Sequence, residues 1–415
     1  MPIFDKAKIL LPNNTDFTKW SVVACDQYTS DPVYWENAKN IVGNNPSALN
    51  IIFPEIFLNG NDKKERIKNI NAYMDEYIKN GAVKETEPCL IYVERTLNNK
   101  SVRQGIVGVI DLEEYDFNKG STSKIRATEG TILERIPPRV EVRENASMEL
   151  PHVMILIDDE EKEIIEPLKN ETSDFEKVYD FDLMLDSGSI KGYKIADKKA
   201  DEILKKLEKL GDKETFKNKY NVDKDVLMYA VGDGNHSLAT AKTCYENLKA
   251  KVGKENAKIQ RYALVELVNL HDDSLEFEAI HRVLFDIDAN DFINELKKAY
   301  SLKEGESDVS FEIVTKDGIK SYIIENPDFN LTVGCLQNFI DKYILENNVE
   351  IDYIHGDDVV KKLCNKENNL GIILKSMKKS DLFKTVILDG ALPRKTFSMG
   401  EACDKRFYLE GRKIK

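Results

Sequence analysis

The stretch from Val226 to Lys242 constrains the fold more than any other part of the sequence. It begins with the apolar run Val226–Val231, which is long enough for a buried strand, and passes through the polar turn Gly232–Ser237. Apolar residues then recur at helical spacing. They are Leu238, Ala241, Tyr245 and Leu248. The pattern predicts a strand, a tight turn and a helix.

The turn between that strand and that helix has the composition of an anion site. Gly232 and Gly234 allow tight turning, and Ser237 is expected to cap the helix, whose first amide groups and dipole would face a bound anion. Asp233 and His236 add acid–base chemistry at the same place. An ordinary Asx turn with a capping serine explains these residue types equally well.

Further apolar runs predict strands, and charged periodic segments predict helices on both sides of them. The chain is therefore expected to combine strands and helices in an α/β fold. Residues 1–286 are expected to form the main domain, which carries the site, and residues 287–415 a smaller α/β region that can contribute to the same cleft. The predicted strands are Leu90–Arg95, Gln104–Asp111, Pro151–Asp158 and Arg261–Leu270, and one predicted helix is Lys63–Asn80.

The charge balance excludes some classes of partner. The formal net charge of −13 opposes broad electrostatic binding to nucleic acid or to an anionic membrane. No segment has the roughly 20 consecutive apolar residues of a membrane-spanning helix, so a cytoplasmic protein is expected. An oligomer is an open option.

Two other segments carry candidate ligand-binding groups. Asp26 follows a strand-like run and is suited to hold a cation, although capping of the next turn explains it as well. Arg126, Thr128, Thr131 and Arg139 lie in a basic, proline-containing stretch that could hold a polyanion. A solvated, salt-bridged surface segment is the alternative for that stretch. Within it, Glu129 is the candidate base.

The C-terminal third adds candidate substrate contacts. His281 and Arg282 could touch a substrate or form a structural ion pair. Arg394, Lys395 and Thr396 could bind phosphate or carboxylate, although this segment lacks the glycine frame of a Walker A loop.

Nearly the whole chain resembles a prokaryotic family known as domain of unknown function 1015. Many relatives have Asp-Gly-His-His-Arg where this chain has Asp233-Gly-Asn-His-Ser237, so a role that needs the second histidine or the arginine is not carried over. The resemblance is carried by Ala24–Trp35, Ile125–Thr131, Gly232–Ser237, Ile280–Arg282 and Pro393–Phe397.

The central turn is also similar to that of the ParB/sulfiredoxin superfamily, which includes free-serine kinases. This local resemblance implies an α/β fold with a mixed sheet, in which a ParB/sulfiredoxin-like core carries additional α/β elements and the turn binds nucleotide phosphates. It also implies nucleotide-dependent phosphotransfer and a link to serine metabolism.

The resulting hypothesis is an ATP- or ADP-dependent kinase that phosphorylates free L-serine or a related hydroxy acid. Gly232, Gly234, Asn235 and Ser237 would hold nucleotide phosphate, and His236 would stabilise the transferring group.

The other roles in this hypothesis belong to distant segments. Arg126 and Arg139 would hold phosphate or the substrate carboxylate, Glu129 would accept the hydroxyl proton, and Asp233 with Asp26 would hold Mg²⁺. A nucleotide-responsive binding protein and a phosphatase of a phosphorylated amino acid are the alternatives.

Overall fold

A computed structural model describes residues 2–58 and 60–415 of the chain. Within these ranges, none of the helices is both long and apolar enough to cross a membrane. The helices are α1 (Phe17–Trp20), α2 (Pro32–Val42), α3 (Lys63–Asn80), α4 (Ile136–Arg143), α5 (Asp197–Lys209), α6 (Lys213–Tyr220), α7 (Asn235–Val252), α8 (Ala289–Ala299), α9 (Thr332–Asn347), α10 (Asp357–Leu363) and α11 (Lys379–Asp389).

Short strands are distributed along the whole described chain. They are β1 (Phe4–Asp5), β2 (Leu10–Pro12), β3 (Val22–Val23), β4 (Val83–Glu85), β5 (Ile91–Thr96), β6 (Val102–Asp111), β7 (Tyr115–Asp116), β8 (Ile125–Ala127), β9 (Met148–Glu149), β10 (Met154–Ile157), β11 (Glu176–Asp182), β12 (Ser189–Lys194), β13 (Tyr229–Asp233), β14 (Tyr262–Asn269), β15 (Phe277–Ala279), β16 (His281–Phe285), β17 (Leu302–Glu304), β18 (Phe311–Thr315), β19 (Gly318–Ile324), β20 (Glu350–Ile354), β21 (Leu370–Leu374), β22 (Phe397–Met399), β23 (Phe407–Tyr408) and β24 (Arg412–Lys413).

The chain forms two compact units. The first contains Met1–Ala127, Thr131–Leu275 and Glu401–Lys415, and the second contains Thr128–Gly130 and Glu276–Gly400. This division differs from the single boundary near residue 286 that the sequence suggested. The last segment belongs to the first unit because β23 pairs with β3 and β24 pairs with β9.

The first unit is built on a mixed sheet, which confirms the predicted α/β class. Within the described residues its ten strands run in the order β11-β12-β5-β6-β14-β10-β13-β8-β7, and β1 also pairs with β6. Strand β10 is parallel to β14, and β8 is parallel to both β13 and β7. The other neighbouring strands are antiparallel.

Both faces of this sheet are buried. Successive side chains of a strand point to opposite faces, and on β6 this places Val107 and Val109 in one core and Ile106 and Ile110 in another. Helices α2 and α3 supply the first core, and α5 and α7 supply the second. The helices therefore hold the sheet, and the turns at its strand ends, from both sides.

The second unit has an antiparallel sheet in the order β17-β19-β18-β21-β16-β20 and a separate pair, β15 with β22. Its core joins α8 and α9 to this sheet through Phe292, Leu296, Leu336 and Ile340, all of which are fully buried.

Candidate functional site

The predicted strand, turn and helix are present in the first unit. Strand β13 continues through Gly232 to Asp233, and α7 begins at Asn235. Gly234 occupies the cap position with φ +78°, a left-handed conformation that favours glycine. The predicted capping role of Ser237 is wrong, because Ser237 lies inside the first helical turn and the helix has no side-chain cap.

The two glycines of the turn are required by close packing. A Cβ at Gly232 would lie 2.8 Å from Leu156 Cγ, and one at Gly234 would lie 3.0 Å from Val153 Cα. The glycines thus let β13 and the start of α7 pack tightly against β10. The amino end of α7, which carries partial positive charge, is thereby fixed in place.

Asp233 ends β13 with both carboxylate oxygens engaged. Its Oδ1 accepts a hydrogen bond from the Gly234 amide at 2.8 Å, and its Oδ2 lies 3.2 Å from Lys405 Nζ. The backbone contact orients the side chain, while Lys405 places a positive charge beside it.

His236 is a neutral hydrogen-bonding group in this site. The Ile132 amide donates to its Nε2 at 3.2 Å, so the proton of the neutral ring lies on Nδ1. Burial, followed by the positive charges of Arg139 and Arg135, lowers the pKa of His236 to about 4. At neutral pH His236 can therefore donate through Nδ1 but contributes no positive charge.

The ring nitrogens of His236 should show this state directly. In ¹⁵N NMR spectra we expect an unprotonated Nε2 from pH 8 down to pH 5.5, with a midpoint near pH 4. Since the pKa is about 6.5 in an unfolded chain, neutral His236 contributes stability that is fully present above that value and is lost as the pH falls towards 4. A His236→Gln variant, which keeps an acceptor, should lack this part of the acid sensitivity. A midpoint near 6.5 in the folded protein would contradict the assignment.

A second acid–base group lies around Asp26. Its Oδ2 is 3.5 Å from His152 Nε2, and its Oδ1 accepts a hydrogen bond from the Gln27 side chain at 3.0 Å. On the other side of the imidazole, His152 Nδ1 lies 2.7 Å from Tyr408 Oη. The same phenol oxygen accepts a hydrogen bond from the Cys25 backbone amide at 3.2 Å.

This arrangement keeps Asp26 ionised. Burial alone would raise the pKa of Asp26, but the charge and hydrogen bond of His152, with Gln27 and Lys405, bring that pKa below its usual range. For His152 the effects have the opposite sign. Burial by itself would lower the pKa of His152, whereas the negative charges of Asp26 and then Asp233 raise it. Because Asp26 and Asp233 both act on His152, the two carboxylates belong to one cluster.

The predicted arginines have different environments. Arg139 pairs with Glu55 and donates to the Arg135 carbonyl at 2.6 Å. Arg126 is buried and donates to the carbonyls of Ser123 and Asp225 at 2.7 and 2.8 Å, so its guanidinium ties β8 to the segment before β13. Of these two arginines, Arg139 is the one near the His236 ring, because its charge acts on that imidazole.

Thr131 lies in the first unit, at the start of the segment that carries Ile132. Its hydroxyl oxygen is buried and has no hydrogen-bond partner among the described residues.

Thr128 and Glu129 lie in the three-residue segment grouped with the second unit. The Leu392 amide donates to the Thr128 carbonyl at 2.7 Å, and Glu129 forms a parallel bridge with Leu392. The role of Glu129 as a base stays a sequence prediction.

In the second unit, the predicted motif at His281–Arg282 lies beside the predicted motif at Arg394–Thr396. Arg282 is fully buried and donates to Gln337 Oε1 at 3.0 and 3.1 Å and to the Arg394 carbonyl at 3.2 Å. Arg394 pairs with Asp341 at 2.5 Å. These contacts give Arg282 a structural role. Its partners are amide and carbonyl oxygens, whereas the structural alternative suggested by the sequence was an ion pair.

The other residues of those two motifs, His281, Lys395 and Thr396, do not share the partners of Arg282. His281 accepts the Leu374 amide through Nδ1 at 3.2 Å and lies 3.0 Å from Asp357 through Nε2. It lines a pocket of 430 Å³. Lys395 is exposed and has φ +55°, a strained value for a non-glycine residue. The Thr396 hydroxyl donates to the Pro393 carbonyl at 2.6 Å.

Several residues of the first-unit cluster were not predicted from the sequence as site residues. His152 is buried, and no sequence pattern marks its contact with Asp26. Glu55, Lys405 and Tyr408 stand alone in the sequence, without a motif or a spacing that marks them. Only the pairing of β23 with β3 brings Tyr408 beside Cys25 and Asp26.

Comparison with known proteins shows one family match and distant structural similarity. The model of the family described as Protein of unknown function (DUF1015) matches residues 7–348. No curated protein matches the chain. A free serine kinase in complex with AMP is 12% identical, with a TM-score of 0.39 over 74% of this chain and 91% of that one.

Two other solved structures are similar at the same level. A conserved hypothetical protein from Pyrococcus furiosus is 13% identical, with a TM-score of 0.37 over 74% of this chain and 94% of that one. SbnI with a C-terminal truncation, from Staphylococcus aureus, is 8% identical, with a TM-score of 0.37 over 73% of this chain and 85% of that one.

Proposed function

Since the chain belongs to the DUF1015 family, we propose its chemistry from the first unit: a nucleotide-dependent phosphotransferase that phosphorylates free L-serine or a related hydroxy acid. The observation that carries this proposal is the cluster of Asp26, His152, Asp233 and Lys405 beside the amino end of α7. Phosphoryl transfer depends mainly on positioning and on neutralising phosphate charge, and this cluster places a lysine and a histidine beside two carboxylates.

The phosphate would be held on the side of α7. The backbone of Gly232–Ser237 and the helix dipole favour an anion here, and Arg139 adds a planar donor suited to phosphate oxygens. His236 would donate a neutral hydrogen bond from Nδ1 to the transferring group. We leave Arg126 out of this set because its guanidinium is buried against backbone carbonyls.

We assign Asp26 and Asp233 as the residues that would hold Mg²⁺. Among the described residues there is no group of three or more side chains that could hold a metal ion by themselves. Mg²⁺ in nucleotide enzymes is commonly held by one or two carboxylates together with substrate phosphates and water, and Asp26 and Asp233 would be those carboxylates. When bound, the ion would neutralise charge on the phosphate oxygens.

The substrate class follows the sequence resemblance to free-serine kinases. His281, Arg394, Lys395 and Thr396 stay predicted substrate contacts, and Glu129 stays the predicted acceptor of the hydroxyl proton.

The test is a product analysis with purified protein. Samples contain L-serine, Mg²⁺ and either ATP or ADP, and parallel samples contain phosphoserine alone or lack the metal. Phosphoserine formed only with nucleotide and Mg²⁺ supports the kinase. Release of phosphate from phosphoserine alone would favour a phosphatase. Nucleotide binding without product from any hydroxy acid would favour a binding protein.

A further inference from the structure

The C-terminal segment Glu401–Lys415 is built into the first unit. Its strand β23 pairs with β3, so that Phe407 lies opposite Val23 and Tyr408 opposite Val22. Since the chain enters the Asp26 turn directly after β3, this pairing brings the end of the chain to the candidate site.

The segment is fixed there by buried charges. Arg406 pairs with Glu266 of β14 and, at 2.5 Å, with Glu410, and all three side chains are at most 5% exposed. Tyr408 follows two residues later and is 3% exposed. The position of its phenol is therefore determined by the sheet and not by a mobile chain end.

The C-terminal segment reaches both carboxylates of the cluster, Asp233 directly and Asp26 through His152. Lys405 lies 3.2 Å from Asp233. Tyr408 contacts His152 Nδ1 at 2.7 Å, with the two rings perpendicular at 86°, and the opposite nitrogen of that imidazole lies 3.5 Å from Asp26. His152 is buried, so it cannot turn its ring without displacing neighbours.

We propose that Tyr408 and His152 are positioning residues for Asp26: the phenol fixes the imidazole, and the imidazole fixes one oxygen of the carboxylate. Outer hydrogen-bond partners of this kind hold a ligating or reacting side chain in its working orientation. The proposal rests on the phosphotransferase function proposed above. It assigns the last segment of the chain a direct part in preparing the site.

The test uses a Tyr408→Phe variant of this chain, which keeps the ring and loses the hydroxyl. Tyr115→Phe is the matched control, because Tyr115 is also buried and its hydroxyl has no hydrogen-bond partner among the described residues. We expect turnover of Tyr408→Phe to fall about 10–100-fold, with little change in KM for the nucleotide. The control should keep the parent turnover.

A measurement on the ligand-free protein separates this proposal from the proposed function. The carboxyl ¹³C signal of Asp26, assigned with Asp26→Asn, and the Nδ1 signal of His152 should both shift in Tyr408→Phe and not in Tyr115→Phe. Unchanged signals would overturn the positioning role, as would parent turnover in an active Tyr408→Phe protein. If the parent transfers no phosphate to any substrate, the proposed function fails while these signals still decide whether Tyr408 orients Asp26.

Discussion

An Asp233→Asn variant is expected to lose about 10²–10³-fold in phosphotransfer turnover while keeping its fold. Asparagine retains the oxygen that accepts the Gly234 amide, so the turn into α7 is preserved. It removes the negative charge beside Lys405 and one of the two carboxylates that would hold Mg²⁺. Turnover of L-serine under saturating nucleotide measures the effect, and circular dichroism checks the fold.

Asp180→Asn is the control for this variant. Asp180 also pairs with a lysine, at 2.9 Å from Lys177, but it lies on the exposed strand β11. We expect parent turnover from it. A parent-like rate in Asp233→Asn, or an equal loss in both variants, would remove Asp233 from the proposed site.

Replacing Arg406 by methionine is expected to reduce the free energy of unfolding by about 3–5 kcal/mol, because breaking a buried ion pair leaves uncompensated charge. Here two carboxylates lose their closest cation, since Glu266 and Glu410 are at most 1% exposed and both pair with Arg406. Arg103 stays beside Glu266 at 4.0 Å. Denaturant titration followed by tryptophan fluorescence suits this measurement. Trp20 and Trp35 are buried in the first unit and report its unfolding.

The matched comparison for Arg406 is Arg66→Met. Arg66 pairs with Asp62 on the surface at 2.7 Å, with 40% of its side chain exposed, and exposed pairs of this spacing contribute only about 0.3–0.5 kcal/mol. Adding Glu266→Gln and Glu410→Gln to Arg406→Met should recover part of the lost stability, because neither position then carries a buried negative charge without Arg406. A denaturation midpoint of Arg406→Met equal to that of the parent would contradict the buried-charge argument.

Local elements were largely predictable. The helix expected at Lys63–Asn80 is α3, with the same ends, and Gly81 follows it at φ +76°. The apolar run at Arg261–Leu270 contains β14, and the run from Val226 leads into β13. Such elements follow from hydrophobic periodicity, glycine and proline, which act over a few residues of the chain.

The predicted role of Ser237 shows where local inference failed. A serine near a helix start suggests a cap, but the helix begins two residues earlier, after a left-handed Gly234 packed against Val153 of the neighbouring segment. The position of the cap was thus decided by packing against Val153, 81 positions earlier in the chain, which no local pattern records.

The sequence by itself determined the mixed α/β class, the strand–turn–helix at Val226–Lys242 and the presence of Asp26, Asp233 and His236 after apolar runs. Only the tertiary structure decided which groups those residues meet. Asp26 meets His152. Because β23 closes back onto β3, Asp233 also meets Lys405, and His152 meets Tyr408. Periodicity encodes which face of an element is buried, whereas partners separated by hundreds of residues are selected by strand pairing and packing of the whole unit.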